Sequence, residues 1–138
     1  MLTSETKVKV RFNEVDALKI VWHGHYINYF EDGRQDFGRK FALGYLNMYD
    51  KGFTAPIVES NVKHKSPLTF GDEAIIQTTY VNTLAAKIRF EYKIFHATTN
   101  ALVAKGYTVQ VFINNSTNAL ELYQPEFYLL WKEKWGII

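Results

Sequence analysis

Residues 7–12 alternate strictly, with Val8, Val10 and Phe12 on one side and Lys7, Lys9 and Arg11 on the other. A period of two predicts a half-buried strand, because successive side chains point to opposite faces. Over residues 26–43 the period changes. Ile27, Phe30, Phe37 and Phe41 recur at steps of three, seven and four, which aligns one apolar stripe on a helix. Gly33 and Gly38 each weaken that helix by roughly 1 kcal/mol relative to alanine. A glycine kept inside a helix marks close approach of another backbone, so tight packing against a sheet is expected. Gly44 is placed to cap the C-terminus.

The remainder reads mainly as strands. Residues 53–64 are extended, with Pro56 near their start, and Ser66-Pro67 and Phe70-Gly71-Asp72 punctuate the loop that follows. Three runs come next, at 73–81, 87–95 and 102–114. The middle one is cleanest, with Ile88, Phe90, Tyr92 and Ile94 facing in and Lys87, Arg89, Glu91 and Lys93 facing out. The connections 82–85 and 97–100 are short enough for antiparallel hairpins. After a loop at 114–118, Pro125 suits the first turn of a last helix carrying Phe127, Leu130, Trp131 and Trp135 along one side. One long helix against one antiparallel sheet is an α+β arrangement. With no repeat or linker, residues 1–138 are expected to form one domain.

Composition narrows the function. Apolar residues at 47% and aromatics at 16% exclude a disordered chain. Ten Phe, nine Tyr and three Trp exceed what one small core hides, so some are expected at an interface or pocket. A net charge of +2 without a basic block gives no reason to expect nucleic acid. Zero cysteines exclude disulfides, thiol nucleophiles and thiolate metal sites. Residues 1–7 lack an apolar signal region and no later run is long enough to span a membrane, so a cytoplasmic protein without membrane contact is expected.

The chemistry gathers near the first loop. Asp16 follows the first strand, and His23 opens His23-Gly24-His25-Tyr26 seven residues later, at the helix start. A carboxylate beside the unpaired N–H groups of a helix N-terminus has the parts that acyl hydrolysis needs. By itself a loop aspartate more commonly satisfies nearby backbone N–H groups. The surrounding motif shifts that balance.

Arg11-Phe12-Asn13-Glu14-Val15-Asp16, then Ile20-Val21-Trp22-His23, Tyr26, Tyr29-Phe30-Glu31 and Arg34, resembles the hotdog-fold acyl-CoA thioesterases, in particular the 4-hydroxybenzoyl-CoA thioesterase and YbgC-like group. Ser66-Pro67-Leu68 and Phe70-Gly71-Asp72-Glu73 resemble that family's loop after its second strand. The resemblance implies a five-stranded antiparallel sheet wrapped around the long central helix, with a short C-terminal helix beyond. It also implies a homodimer joined edge to edge, which can pair again into a tetramer, with active sites at the dimer interface. The substrate is then a coenzyme A thioester, or one on acyl carrier protein, and no metal or redox cofactor is required. Asp16 takes the place of the family's catalytic carboxylate, as nucleophile or as general base, and the His23 N–H that of the group polarising the carbonyl. The chain departs from the family at Lys19, where glycine is usual, and at Glu14, where aspartate is common. An ammonium at Lys19 would favour ionised Asp16.

Other candidates have weaker claims. Tyr26 either lines an acyl pocket or packs in the core. Lys63, Lys65, Lys87 and Arg89 are candidates for the phosphates of coenzyme A, against the alternative of an ordinary solvated face. Glu59, Glu31 and Asp32 are rival carboxylates, although Glu31 and Arg34 are spaced for an i,i+3 ion pair. The His23 side chain orients water or substrate, or simply fills space. His25 is read as structural; His23-x-His25 lacks a third metal ligand, and His64 and His96 are read as strand residues without a special role. Two other functions stay open: a hotdog dehydratase or hydratase, and a non-catalytic acyl-CoA binding module.

Overall fold

The computed structural model describes residues 1–138. In chain order the elements are β1 (Thr3–Lys9), α1 (His25–Phe41), α2 (Tyr45–Tyr49), β2 (Phe53–Thr54), β3 (Ile57–His64), β4 (Glu73–Val81), β5 (Lys87–His96), β6 (Leu102–Val111), β7 (Ile113–Asn114), β8 (Ala119–Leu120) and α3 (Glu126–Lys134). Five strands form one sheet in the order β1-β4-β5-β6-β3. Every neighbouring pair is antiparallel. β4, β5 and β6 are joined by the two expected hairpins, and α1 lies across the sheet's inner face. This is the hotdog arrangement that the resemblance implied.

Alternation in β5 is met residue for residue: Ile88, Phe90, Tyr92 and Ile94 are buried under α1. Phe30 stacks on Tyr92 with ring centroids 4.3 Å apart, and Phe37 meets Phe90 edge-on at 4.9 Å. Each such side chain contributes about 1.5–3 kcal/mol on burial. The expected close approach occurs at Gly33, where a Cβ would collide with the Thr78 hydroxyl and crowd Ile76. Gly38 also sits at a close approach, but to the backbone of Gly44 and not to the sheet.

Several expectations need correction. β1 begins earlier than the alternation suggested, and Ser4, Thr6 and Val8 face the helix. Phe12 is 78% exposed in a short 3₁₀ turn, against Phe70 at 5.8 Å. The buried face of α1 is Tyr26, Tyr29, Phe30, Gly33, Phe37 and Phe41, while Ile27 is partly exposed. Phe30, Phe37 and Phe41 are buried as expected; tyrosine hides a ring while its hydroxyl keeps a partner, so Tyr26 and Tyr29 take the place given to Ile27. Ala42, not Gly44, ends α1 in the left-handed conformation at φ 56°, and the Leu43 N–H donates to Gly38 O at 3.0 Å. Gly44 instead starts α2, its N–H donating to Asn47 Oδ1 at 2.8 Å.

The extended segments at 53–64 and 102–114 are each broken, the first beside Pro56, and their short ends, β2 and β7, join β8 in a second sheet, β2-β7-β8. α3 buries Tyr128, Trp131 and Lys132, and Leu130 points outward. The Trp131 indole donates to Phe41 O at 2.6 Å, tying α3 to the end of α1. Lys132 is buried without a carboxylate. Its ammonium donates to Thr83 O at 2.8 Å and Gln124 Oε1 at 3.2 Å, and burial lowers its pKa. No helix is long and apolar enough to cross a membrane.

Replacing Gly33 by alanine forces the helix off Thr78, and the loss expected from overpacking is about 1–3 kcal/mol, read as a lower urea midpoint with unchanged slope. A second prediction concerns Asp72. Partial burial works to raise its pKa, but the Thr69 N–H and hydroxyl, with His96 at 3.5 Å, outweigh this and hold it below the ordinary carboxylate value. A lowered native pKa stabilises the fold above the ordinary value, near 4, and that share is lost as pH falls through the native pKa. Asp72→Asn is therefore expected to lower the thermal midpoint at neutral pH and to flatten its decline toward acid.

Candidate active site

After β1 the chain closes a small loop. Val15 and Val21 bridge antiparallel, so residues 16–20 form the tip. The Asp16 N–H donates to Ile20 O at 3.0 Å, and the Lys19 N–H to Asp16 O at 2.9 Å. Lys19 adopts φ 66°, the left-handed conformation that a glycine takes without strain. One carboxylate oxygen of Asp16, Oδ1, accepts the Leu18 N–H at 2.8 Å. The aspartate thus does hold its own loop, but Oδ2 accepts no hydrogen bond and the side chain is half-buried. Lys19 makes no ion pair with it; its contribution to this turn is its main chain.

Two further bonds carry the loop onto the helix. The Val21 N–H donates to Leu68 O at 2.8 Å and the Trp22 N–H to Glu14 O at 2.9 Å. Helix α1 starts at His25 with Gly24 as N-cap, so His23 stands just outside it. The His25 N–H donates to Trp22 O and the Tyr26 N–H to His23 O, whereas the N–H groups of His23 and Gly24 donate to no protein acceptor. The positive end of a seventeen-residue helix adds to the attraction for an anion there. Gly24 has no side chain because the Trp22 ring occupies that space.

These groups meet at a recess of about 360 Å³, lined by Asp16, His23, Tyr26, His64, Lys65 and Pro67 with Ile20 and Val21 behind. Tyr26 is buried with its ring edge-on to His64 at 4.9 Å. Burial raises its pKa, and the Leu68 backbone opposes this. Four residues singled out from the sequence, Asp16, His23, Tyr26 and Lys65, therefore share one cavity. His64 is the residue that sequence reasoning passed over. It falls on the helix-facing side of β3, in register with Ala104, but β3 is an edge strand exposed on both faces and shows no burial pattern that would reveal this.

The other candidates lie elsewhere. Lys63, Lys87 and Arg89 are on the outer face of the sheet; Arg89 pairs with Glu91 at 3.4 Å and lies over the Tyr107 ring at 4.0 Å. Glu59 accepts the Tyr107 hydroxyl. Glu31 and Asp32 are exposed on α1, outside the recess. Partial desolvation against the helix surface, with the neighbouring Glu31 and Glu14, raises the Asp32 pKa. The expected Glu31–Arg34 pair does not form, because Arg34 donates to the buried Tyr92 hydroxyl at 3.2 Å. Glu14 is structural: its Oε1 accepts the Arg11 N–H at 2.7 Å and the Tyr29 hydroxyl at 3.1 Å. His25 contacts Asn28, His96 pairs with Asp72, and nowhere do three His, Asp or Glu converge as metal ligands do.

Residues 10–129 match the model of the thioesterase-like superfamily. The chain belongs to that superfamily. It is 30% identical over 96 residues to YneP of Bacillus subtilis (strain 168), a protein assigned by inference as an acyl-CoA thioesterase; the match covers 70% of each chain. Over 111 residues it is 28% identical to the acyl-acyl carrier protein thioesterase ATL3, chloroplastic, of Arabidopsis thaliana, covering 80% of this chain and 58% of that one. The solved DHNA-CoA thioesterase of Staphylococcus aureus superimposes with a TM-score of 0.85 at 23% identity, over 99% of this chain and 93% of that one. Membership makes this superfamily chain a thioester hydrolase.

Lys19→Gly removes an L-residue from the left-handed region, where the strain is about 1–2 kcal/mol. Net of glycine's greater unfolded-state entropy, a higher thermal midpoint is expected. The same variant tests the ammonium: if Lys19 favours ionised Asp16, the acid limb of the pH–rate profile moves to higher pH, and an unchanged profile rejects that role.

Proposed function

We propose that the chain hydrolyses an acyl-CoA to a free acid and coenzyme A, with Asp16 and the His23 N–H as the working pair. The observation that carries this reading is the recess itself, where an aspartate oxygen without a hydrogen-bond partner and two unpartnered main-chain donors line or adjoin the same space. Asp16 Oδ2 attacks the thioester carbon, and the carbonyl electron pair moves onto oxygen held by the His23 and Gly24 N–H groups. Collapse breaks the carbon–sulfur bond, releases the thiolate, and leaves a mixed anhydride for water to open. In the alternative route Asp16 takes a proton from water, which attacks instead. Both routes use the same two groups. The relatedness to YneP supports acyl-CoA as substrate, and that to ATL3 keeps acyl carrier protein as the other carrier.

A second copy of the chain completes the site in this reading. β3 has no partner on its outer edge, and Ile57 and Val58 on it are exposed. Tyr45, Leu46 and Tyr49 of α2 are more than half exposed. Unpaired edges of this kind are normally covered, and pairing of two β3 strands gives the homodimer, from which a tetramer of two dimers can be built.

His64 beside Tyr26 favours one other reading, hydration of an enoyl thioester, since histidine is a usual base for chemistry at the β-carbon. Thiol release is therefore measured for a panel of saturated acyl-CoAs and acyl carrier protein thioesters, with an enoyl-CoA followed in parallel. Wild type is expected to release thiol from saturated substrates, and Asp16→Asn to lose roughly a hundredfold or more in kcat. Tight binding without thiol release, or turnover of the enoyl-CoA alone, sinks the proposal.

A further inference from the structure

The outer face of the sheet carries a row of like charges that no stretch of sequence shows. Lys63 of β3 stands directly opposite Lys105 of β6, and Lys105 directly opposite Lys93 of β5. Gln77 of β4 continues the row, and the first acid, Glu5, comes only at the far edge. With strands about 4.8 Å apart, three side chains start within about 10 Å of one another. Like charges directly opposite across strands are destabilising, and none of these lysines has an acid to relieve it. The ion pairs of the molecule are Lys7–Glu73, Arg39–Asp36, Arg89–Glu91 and His96–Asp72. Glu91 in the adjoining row is engaged by Arg89, and Glu59 one row further by the Tyr107 hydroxyl. The three lysines, with Asn61, Gln77, Tyr107 and the Arg89-paired Glu91, line a recess of about 510 Å³.

Its position gives the row a use. Lys63 opens on this outer recess, and Lys65, two residues and about 7 Å further along, lines the recess that holds Asp16. The two cavities lie on either side of the C-terminal end of β3, with Lys63 lining one and His64 and Lys65 the other. A substrate with its thioester at Asp16 and a phosphorylated end some distance away fits that layout.

We infer that Lys63, Lys93 and Lys105 form the binding site for the phosphates of the substrate's carrier, the adenosine bisphosphate end of coenzyme A. This rests on the acyl-CoA reading above and adds two residues, Lys93 and Lys105, that only the strand register brings forward. The ligand class follows from the geometry: a compact line of ammonium groups with the side-chain amides of Asn61 and Gln77 beside it suits clustered phosphate oxygens better than the scattered acids of a protein surface.

The test compares Lys93→Gln/Lys105→Gln with wild type in two assays. The first is the ratio of kcat/KM for an acyl-CoA to that for the matching acyl-pantetheine, which lacks the nucleotide. The second is calorimetric binding of adenosine 3′,5′-bisphosphate, which needs no turnover. The double variant is expected to lose about tenfold in the ratio through KM, about what two exposed charge contacts supply, and to bind the bisphosphate correspondingly more weakly. Lys93→Arg/Lys105→Arg restores both. An unchanged ratio with unchanged bisphosphate binding overturns the site while leaving the thioesterase reading intact. Loss confined to acyl carrier protein substrates overturns it also, by assigning the row to a protein surface. If no thioester is turned over at all, bisphosphate binding that depends on the row still sustains the site.

Discussion

The site depends on how deeply α1 is set into the curved sheet. Phe30 and Phe37 pack flat or edge-on to the β5 rings, and at Gly33 nothing holds the helix axis away from Thr78. That depth determines where the helix begins and therefore where its first donors emerge. The loop before it is held separately, through Val21 to Leu68 and Trp22 to Glu14. Neither restraint alone brings Asp16 to the donors. Together they leave little freedom, because the helix is braced from below and the loop from the side. Preorganisation of this kind spares an enzyme the reorganisation that water would undergo as charge develops.

Much of this was readable in the residues, and the exceptions share a cause. β5 and the two hairpins were legible because a central strand is buried on one face and wet on the other, so its alternation is complete. β1 and β3 lie at the edges, where hydroxyls and charged groups face both ways, and their bounds or faces blurred accordingly. His64 escaped notice for that reason. The α1 stripe held at its three phenylalanines and erred at Ile27, because Tyr26 and Tyr29 were left out of the count. The Glu31–Arg34 spacing was correct as spacing, but the buried Tyr92 hydroxyl offered the guanidinium a partner from another element. Asp16 met its structural reading, with one oxygen engaged in the turn, and its other oxygen is left open. The lysine row was invisible in principle, since its members lie on three strands far apart in the chain and only pairing aligns them.

The two faces of the sheet differ in character. Toward α1 it is aromatic and closely packed, with hydroxyls at Thr108 and Tyr92 satisfied internally. Away from α1 it is wet, and its charges are arranged in rows that run across strands. The edge strand β3 borders both faces at once, with His64 on one and Lys63 on the other.

The last described helix has a bearing on how the chain is made. Tyr128 and Trp131 of α3 are part of the central core, and the Trp131 indole closes the carbonyl end of α1. Lys132 bridges from the same helix to the turn between β4 and β5. A ribosome delivering this chain has already released the Asp16 loop, the long helix and all five strands of the main sheet before these residues leave the exit tunnel. Until then the end of α1 is open and its aromatic floor is wet. Native packing of the helix and sheet therefore waits on α3, although every other element of the core precedes it in the chain.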